Sequence, residues 1–282
     1  MKRSSIGMTM FLIIVGLPML ISAQKMKAED VITKHLESIG TSQAREATKT
    51  LIAVGMGTSK FTSTKDITLQ GRIVLASDGA NNLLGMNMNS SLYAGEKFGY
   101  NGKDVYVGFV NMSSRSVLGN FVQANSSIVA DGMVGGVLTT SWALSRLSTN
   151  GGKISYDGTK KIGGKELYAI GYSRKGGGDL DITFYFEKDT FRHVRSEYKR
   201  VSSAAIGVSP EQSSRFSETR FLFVEEFGDF KDEAGLTLPH SYRMFYSTTG
   251  GQGTTGIQWE FVLDEFAANK KFDPSTFIAP KN

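Results

Sequence analysis

Residues 179–187 read DLDITFYFE, and their alternation decides the kind of fold. Leu180, Ile182, Phe184 and Phe186 fall on one side of an extended chain, with Asp181, Thr183, Tyr185 and Glu187 on the other. Successive side chains of a strand point to opposite faces, so this period of two predicts an antiparallel strand with one apolar and one wetter face. The period recurs in both directions. C-terminally it appears in residues 191–200, 215–227, 240–248 and 255–266, the last with Ile257, Trp259, Phe261 and Leu263 against Gln258, Glu260, Val262 and Asp264. N-terminally it appears in residues 166–172, 153–156, 104–110 and 93–100, in 84–89, where Leu84, Met86 and Met88 alternate with Gly85, Asn87 and Asn89, and in 67–75. Asp78-Gly79, Asn81-Asn82, Asn101-Gly102, Asp157-Gly158, the run Gly176-Gly177-Gly178 and Lys188-Asp189 supply turn chemistry between these runs, and residues 202–214 read as a loop. About ten or eleven strands in series, without strand–helix alternation, exclude a doubly wound parallel fold. The prediction is a mainly β (α+β) chain with a large antiparallel sheet curved by its own twist.

One long stretch interrupts the strands. Residues 117–147, VLGNFVQANSSIVADGMVGGVLTTSWALSRL, carry a single charge, Asp131, before Arg146 and place Gly132, Gly135 and Gly136 among larger apolar residues. So apolar a segment needs a partner surface. A curved sheet has one to offer, so residues 114–147 are predicted to form a helical lid over the concave face. Near the N-terminus, DVITKHLESIG (residues 30–40) has the spacing of an amphipathic helix ending at Gly40, and a short second helix is expected over residues 41–50. The alternation nominates Leu84, Met86, Met88, Leu180, Ile182, Phe184, Phe186, Ile257, Trp259 and Phe261 as the lining of an apolar cavity, with Val134, Leu138 and Trp142 above them. The competing expectation is a cover that never moves over a core without a cavity.

Lys2 and Arg3, an apolar run broken by Pro18, and Ile21-Ser22-Ala23 read as a secretory signal peptide cleaved after Ala23, leaving residues 24–282 as a single domain. Losing Lys2 and Arg3 lowers the formal charge from +5 to +3, spread along the chain with no basic block, which speaks against a nucleic-acid partner. The chain has no cysteine, hence no disulfide, no thiol nucleophile and no residue to carry the lipid of a bacterial lipoprotein. His35, His193 and His240 lie in different elements and outside any HExxH pattern, and there is no G-x-S-x-G elbow. The acidic residues Glu225, Glu226, Asp229, Asp232 and Glu233 read as a solvated turn rather than a cation site. The expectation is no enzyme, no metal and no cofactor. A transmembrane β-barrel fits poorly, because Arg192, Arg195, Glu197, Lys199 and Arg200 put charge on both faces of one strand.

The leader, the amphipathic helix ending in Ile39-Gly40, the strand series broken after Tyr100-Asn101-Gly102-Lys103, and the closing Lys271-Phe272-Asp273-Pro274-Ser275-Thr276-Phe277 with Pro280 together resemble the LolA/LolB superfamily of periplasmic carriers of outer-membrane lipoproteins. The resemblance implies an incomplete barrel of about eleven strands covered by the N-terminal and central helices, with an apolar cavity that takes acyl chains. It further implies a periplasmic, non-catalytic carrier whose partners are lipid or lipoprotein acyl chains and an inner- or outer-membrane protein, and which does not itself span the membrane after leader cleavage. The alternative function is a cell-envelope scaffold or assembly protein with a filled cavity and no lipid cargo.

Overall fold

The computed structural model describes residues 26–282 apart from 63–66, 109–113, 148–150, 175, 177, 205–216, 274 and 279–282. The leader expected over residues 1–23 and most of the loop expected over 202–214 lie outside the described residues. Two helices open the described chain, α1 (Ala28–Ile39) and α2 (Ser42–Ala47). Five strands follow, β1 (Thr50–Phe61), β2 (Ile67–Asp78), β3 (Asn81–Met88), β4 (Lys97–Tyr100) and β5 (Val105–Val107). Then come three short helices, α3 (Val117–Ala124), α4 (Ser127–Ala130) and α5 (Ala143–Arg146), with one 3-10 turn, Gly136–Leu138. Seven further strands complete the fold, β6 (Lys153–Ile162), β7 (Lys165–Ser173), β8 (Leu180–Glu187), β9 (His193–Ser202), β10 (Thr219–Glu233), β11 (Leu236–Gly250) and β12 (Gly253–Ala268).

All twelve strands belong to one antiparallel sheet in the order β5-β4-β3-β2-β1-β12-β11-β10-β9-β8-β7-β6. Neighbours in sequence pair as neighbours in space, except that β1 also pairs with β12 and that β5 and β6 end on opposite edges. That exception explains the cover. The chain between β5 and β6 must travel from one edge of the sheet to the other, and the route across the concave face is the one on which an apolar segment gains burial. The edges are blunt: β5 has three residues, and β6 is bulged between Tyr156 and Thr159 and carries Lys160 and Lys161.

The concave face is the core. Ile73 and Leu75 of β2, Leu84 and Met86 of β3, Phe184 and Phe186 of β8, Tyr198 of β9, Phe223 and Phe227 of β10, Tyr242 and Met244 of β11, and Trp259 and Phe261 of β12 form one cluster with Leu118, Phe121, Val122, Ile128, Val129 and Leu138 of the cover. Val31 and Ile32 of α1 join it. A smaller cluster of Ile39, Leu51, Val137, Leu236 and Leu238 lies under the end of α1. On the convex face, Arg195, Glu197, Lys199, Glu226 and Arg243 form a ladder of ion pairs across β9, β10 and β11.

The sheet has twelve strands rather than about eleven. The strand without clean alternation is β1, TLIAVGMGTSKF, whose concave positions hold Ala53, Gly55, Gly57 and Ser59. The glycines are required by the close approach of β12: a Cβ on Gly55 would lie 2.1 Å from the Val262 carbonyl oxygen, and one on Gly57 would lie 2.0 Å from that of Glu260 and 2.6 Å from the Phe261 ring. Asp157-Gly158 makes a bulge inside β6 instead of a turn, and the turn falls on Gly163-Gly164. Asn81 and Asn82 sit in β3, with the turn at Gly79-Ala80. The strand expected over residues 93–100 shortens to β4, because Tyr93 and Glu96 turn inward and hydrogen-bond one another. The acidic run expected as a solvated turn lies wholly in β10, and Glu225 is fully buried.

Candidate functional site

The cover is a chain of short pieces. Ser116 caps α3 by accepting a hydrogen bond from the Gly119 amide at 2.7 Å, and Asn125 ends that helix after eight residues. Gly135 and Gly136 follow α4 with φ of 86° and 53°, a left-handed pair that turns the chain down onto the sheet. A Cβ at either position would meet Leu75 or Phe227 at 2.8 Å.

Polar contacts pin this cover to the sheet at successive points. The Arg115 guanidinium donates to the Val107 carbonyl at 3.1 Å. The Asn82 amide donates to the Val129 carbonyl at 3.0 Å. The Thr140 amide donates to Ser77 Oγ at 2.9 Å, and the Gly135 amide donates to Glu225 Oε1 at 2.7 Å. Glu225 also accepts from Tyr198 Oη at 2.9 Å and Tyr242 Oη at 2.5 Å, so three donors from two strands and the cover converge on one buried carboxyl. Burial pushes that carboxyl up to about 7, against the pull of Tyr242, the Gly135 amide and Tyr198. A second buried carboxyl, Glu96, accepts from Tyr93 Oη at 2.7 Å, and Tyr93 accepts from the Trp259 indole at 3.2 Å. Glu96 is likewise raised to about 7 by burial, opposed by hydrogen bonds from Ser116 and Tyr93. Through Ser116 it ties the start of α3 to the sheet.

Two of the three histidines meet. His35 of α1 and His193 of β9 lie with ring centroids 5.8 Å apart, among Phe184, Phe186 and Phe227. Burial, with a smaller push from His193, lowers His35 to about 3, and burial lowers His193 to about 4. Ser196 Oγ lies 3.0 Å from His193 Nε2, but that nitrogen is also 3.0 Å from the Arg195 carbonyl. A carbonyl requires a donor, so Nε2 carries the proton and does not serve Ser196 as a base. Among the described residues no group of three metal-ligating side chains occurs.

These buried groups set a pH profile. The carboxyls of Glu225 and Glu96 are raised above their ordinary 4.5, so their contribution is full below about pH 4.5 and is lost as pH rises through about 7. The histidines are lowered from 6.5, so theirs is present above pH 6.5 and is lost as pH falls toward 4 and 3. Between pH 4.5 and 6.5 the two effects oppose. Urea midpoints are expected to form a plateau there and to fall on both sides; a midpoint rising steadily from pH 5 to 9 would contradict the buried carboxyls.

The residues nominated from sequence are brought together on the concave side. Leu84, Met86, Met88, Ile182, Phe184, Phe186, Ile257, Trp259 and Phe261 are buried in the main cluster, and Leu180 packs half-buried at its margin. Val134 and Leu138 join them from the cover. Trp142 packs instead against the smaller cluster beneath α1. The space between sheet and cover is nearly filled: the cavity bounded by His35, Met133, Trp142, Leu144, Phe184 and His193 measures about 20 Å³, room for about one water.

A larger apolar space than that cavity lies elsewhere. Where α3 crosses the end of β9, β10 and β11, a groove of about 360 Å³ opens, lined by Val117, Asn120, Phe121, Ala124, Arg200, Phe221, Tyr246 and Thr248. The Phe121 ring stands 5.5 Å from Tyr246 and 6.5 Å from Phe221. None of these eight belongs to the nominated lining. Phe121 sat in the recognised cover segment; Phe221 and Tyr246 shared the apolar parity of recognised strands. Only register reveals that their strand ends meet under α3. Arg200 left a plainer trace, since it follows Lys199 and so puts charge on the second face of its strand.

No helix among the described residues is long and apolar enough to cross a membrane. No family model matches the sequence, and no curated protein does. Solved structures similar to this chain at low identity include the following. A LolA superfamily protein from Nitrosomonas europaea is 12% identical over 90% of this chain and 98% of its own, with a TM-score of 0.45. A DUF1329 family protein from Desulfovibrio piger is 11% identical over 88% and 96%, with a TM-score of 0.47. A domain named for outer-membrane lipoprotein sorting from Vibrio parahaemolyticus is 13% identical over 88% and 97%, with a TM-score of 0.41.

Proposed function

We propose that this chain is a non-catalytic binding protein of the bacterial envelope, exported to the periplasm, that carries an acylated or otherwise hydrophobic ligand on the concave side of its sheet. The observation that carries the reading is the groove beneath α3. At about 360 Å³ it lies within the range of small-molecule sites, roughly 300–1,000 Å³, and its walls are mainly hydrocarbon and aromatic. Desolvation is the chemistry on offer. Each buried methylene contributes about 0.8 kcal/mol, so a chain of about a dozen supplies on the order of 10 kcal/mol before ordering costs. The resemblance of the sequence to the LolA/LolB carriers supports the same reading, with lipid or lipoprotein acyl chains as cargo and a membrane protein as loading or receiving partner.

A second reading has its own support. The cavity under the rest of the cover holds about 20 Å³, and the cover is pinned at Asn82, Ser77 and Glu225, as in a scaffold whose concavity is filled by its own side chains. Gentle purification without detergent, solvent extraction and mass spectrometry separate the two. The carrier reading expects near-stoichiometric lipid. Protein that arrives empty and takes up no single-chain amphiphile supports the scaffold instead.

A further inference from the structure

Arg200 brings a positive charge to the edge of an otherwise apolar surface. Its parity is that of Ser196 and Tyr198, whose side chains point into the core, and the row across the sheet at this level reads Leu180, Arg200, Phe221 and Thr248. One step inward the row is Ile182, Tyr198, Phe223 and Tyr246, all buried. The neighbouring cations of the strand, Arg195 and Lys199, lie on the convex face and are engaged by Glu197 and Glu226. Arg200 is half-buried, and among the described residues its side chain has no ion pair and no hydrogen bond. Of the other polar groups on the concave face, the Glu225 carboxylate accepts from three donors within the fold and His193 Nε2 meets the Arg195 carbonyl, while His193 Nδ1 is buried without a hydrogen bond among the described residues.

A guanidinium held partly out of water beside Phe221 loses hydration that no ion pair or hydrogen bond among the described residues returns. It offers a planar fork of donors matched to a carboxylate or phosphate. Its place is the wall of the groove beneath α3, where the Asn120 amide is a further donor, while the Thr248 hydroxyl donates to Tyr246 Oη at 3.3 Å. At roughly 30 Å³ for a group the size of a water, the groove has room for about a dozen methylenes, one chain rather than several.

We propose that this groove is a site for a single-chain anionic amphiphile, its carboxylate or phosphate head on the Arg200 guanidinium and its hydrocarbon chain along Phe121, Phe221 and Tyr246. The proposal deepens the carrier reading and rests on it. It adds a headgroup chemistry and an anchor that hydrophobic binding alone does not require.

Calorimetric titration with laurate, dodecyl phosphate and dodecanol, each below its micellar concentration, tests it. These probes share one chain length and differ in the head. Laurate and dodecyl phosphate are expected to bind at least about tenfold more tightly than dodecanol, as befits a charged hydrogen bond; the tighter of the two identifies the head. Arg200→Gln is expected to reduce both anions to the affinity of dodecanol and to leave dodecanol unchanged. Ala124→Trp, at an exposed position of α3 facing the groove, is expected to abolish all three without lowering the melting temperature. Equal affinity for the three probes, lost in Ala124→Trp, overturns the anionic head while the hydrophobic site stands. An anion preference that survives Arg200→Gln overturns Arg200 as the anchor. No binding of any probe overturns this proposal and the carrier reading together.

Discussion

Glu225→Ala is expected to lower the unfolding free energy by about 3–5 kcal/mol at pH 6. The substitution strips the acceptor from three buried donors at once, Tyr198 Oη, Tyr242 Oη and the Gly135 amide. Each buried donor left unpaired costs about 1–3 kcal/mol, less where the collapsed site lets it find another partner. Glu225→Gln separates that loss from the charge. Glutamine never ionises, keeps the oxygen that accepts from Tyr242 and the Gly135 amide, and presents its NH2 to Tyr198, whose hydroxyl can turn to accept from it. Near pH 6 it should sit within about 1 kcal/mol of the parent. The pKa raised from 4.5 to about 7 is worth about 3 kcal/mol over the whole range, of which about 2 is already lost by pH 6, so between pH 6 and pH 9 Glu225→Gln should gain about 1–1.5 kcal/mol on the parent. Urea denaturation of the three proteins at pH 6 and pH 9 reads both effects. Parallel pH profiles for the parent and Glu225→Gln would mean that Glu225 does not titrate in this range.

A disulfide between positions 77 and 140 should have an effect of similar size and opposite sign. Ser77 Oγ and Thr140 Oγ1 lie 3.2 Å apart, joining β2 to the cover across 63 residues of sequence. The chain contains no cysteine, so Ser77→Cys with Thr140→Cys adds one bridge and no alternative pairing. Closing a loop of that length stabilises the oxidised over the reduced protein by about 4 kcal/mol if the geometry is taken up without strain. The same protein asks where ligand enters. With the cover bolted down, laurate uptake should persist, because the groove beneath α3 lies at the sheet end, away from the bolt. Uptake lost on oxidation and restored by reduction would instead put the ligand under the central cover.

These two experiments bear on parts of the molecule that the sequence disclosed unequally. The strands from β7 to β12 are plain in it, because one face of each packs against the core and the other meets water, and alternation records that difference. β1 was hidden for a reason that belongs to its neighbours. The backbone of β12, with the Phe261 ring, comes so close to Gly55 and Gly57 that no side chain fits there. Glu225 misled for a related reason. A carboxylate in an acidic run reads as solvated, and nothing local announces that two tyrosines from adjacent strands and a cover amide converge on it.

The nominated lining is a similar case. Parity correctly places Phe184, Trp259 and Met86 on the inner face, but parity does not distinguish a side chain that lines a space from one that fills it. The cover fills the space: Leu118, Val122, Ile128 and Leu138 occupy the concavity that the strands alone would leave open.

The amino-acid sequence by itself determined the class of fold, the direction in which each recognised strand faces, and the existence of one apolar segment that had to be sheltered. Those are local properties, fixed by the period of side chains along the backbone and by the cost of exposing hydrocarbon to water. Which strands form the edges, how the cover crosses between them, and where the Arg200 guanidinium meets an apolar groove depend on pairing over separations of tens to hundreds of residues. Arg200 and Thr248 meet in one groove because β9, β10 and β11 align in register, and Phe121 stands over them because β5 and β6 lie on opposite edges of one sheet. The tertiary structure alone decided that, since residues distant in the chain become neighbours only through the sheet that joins them.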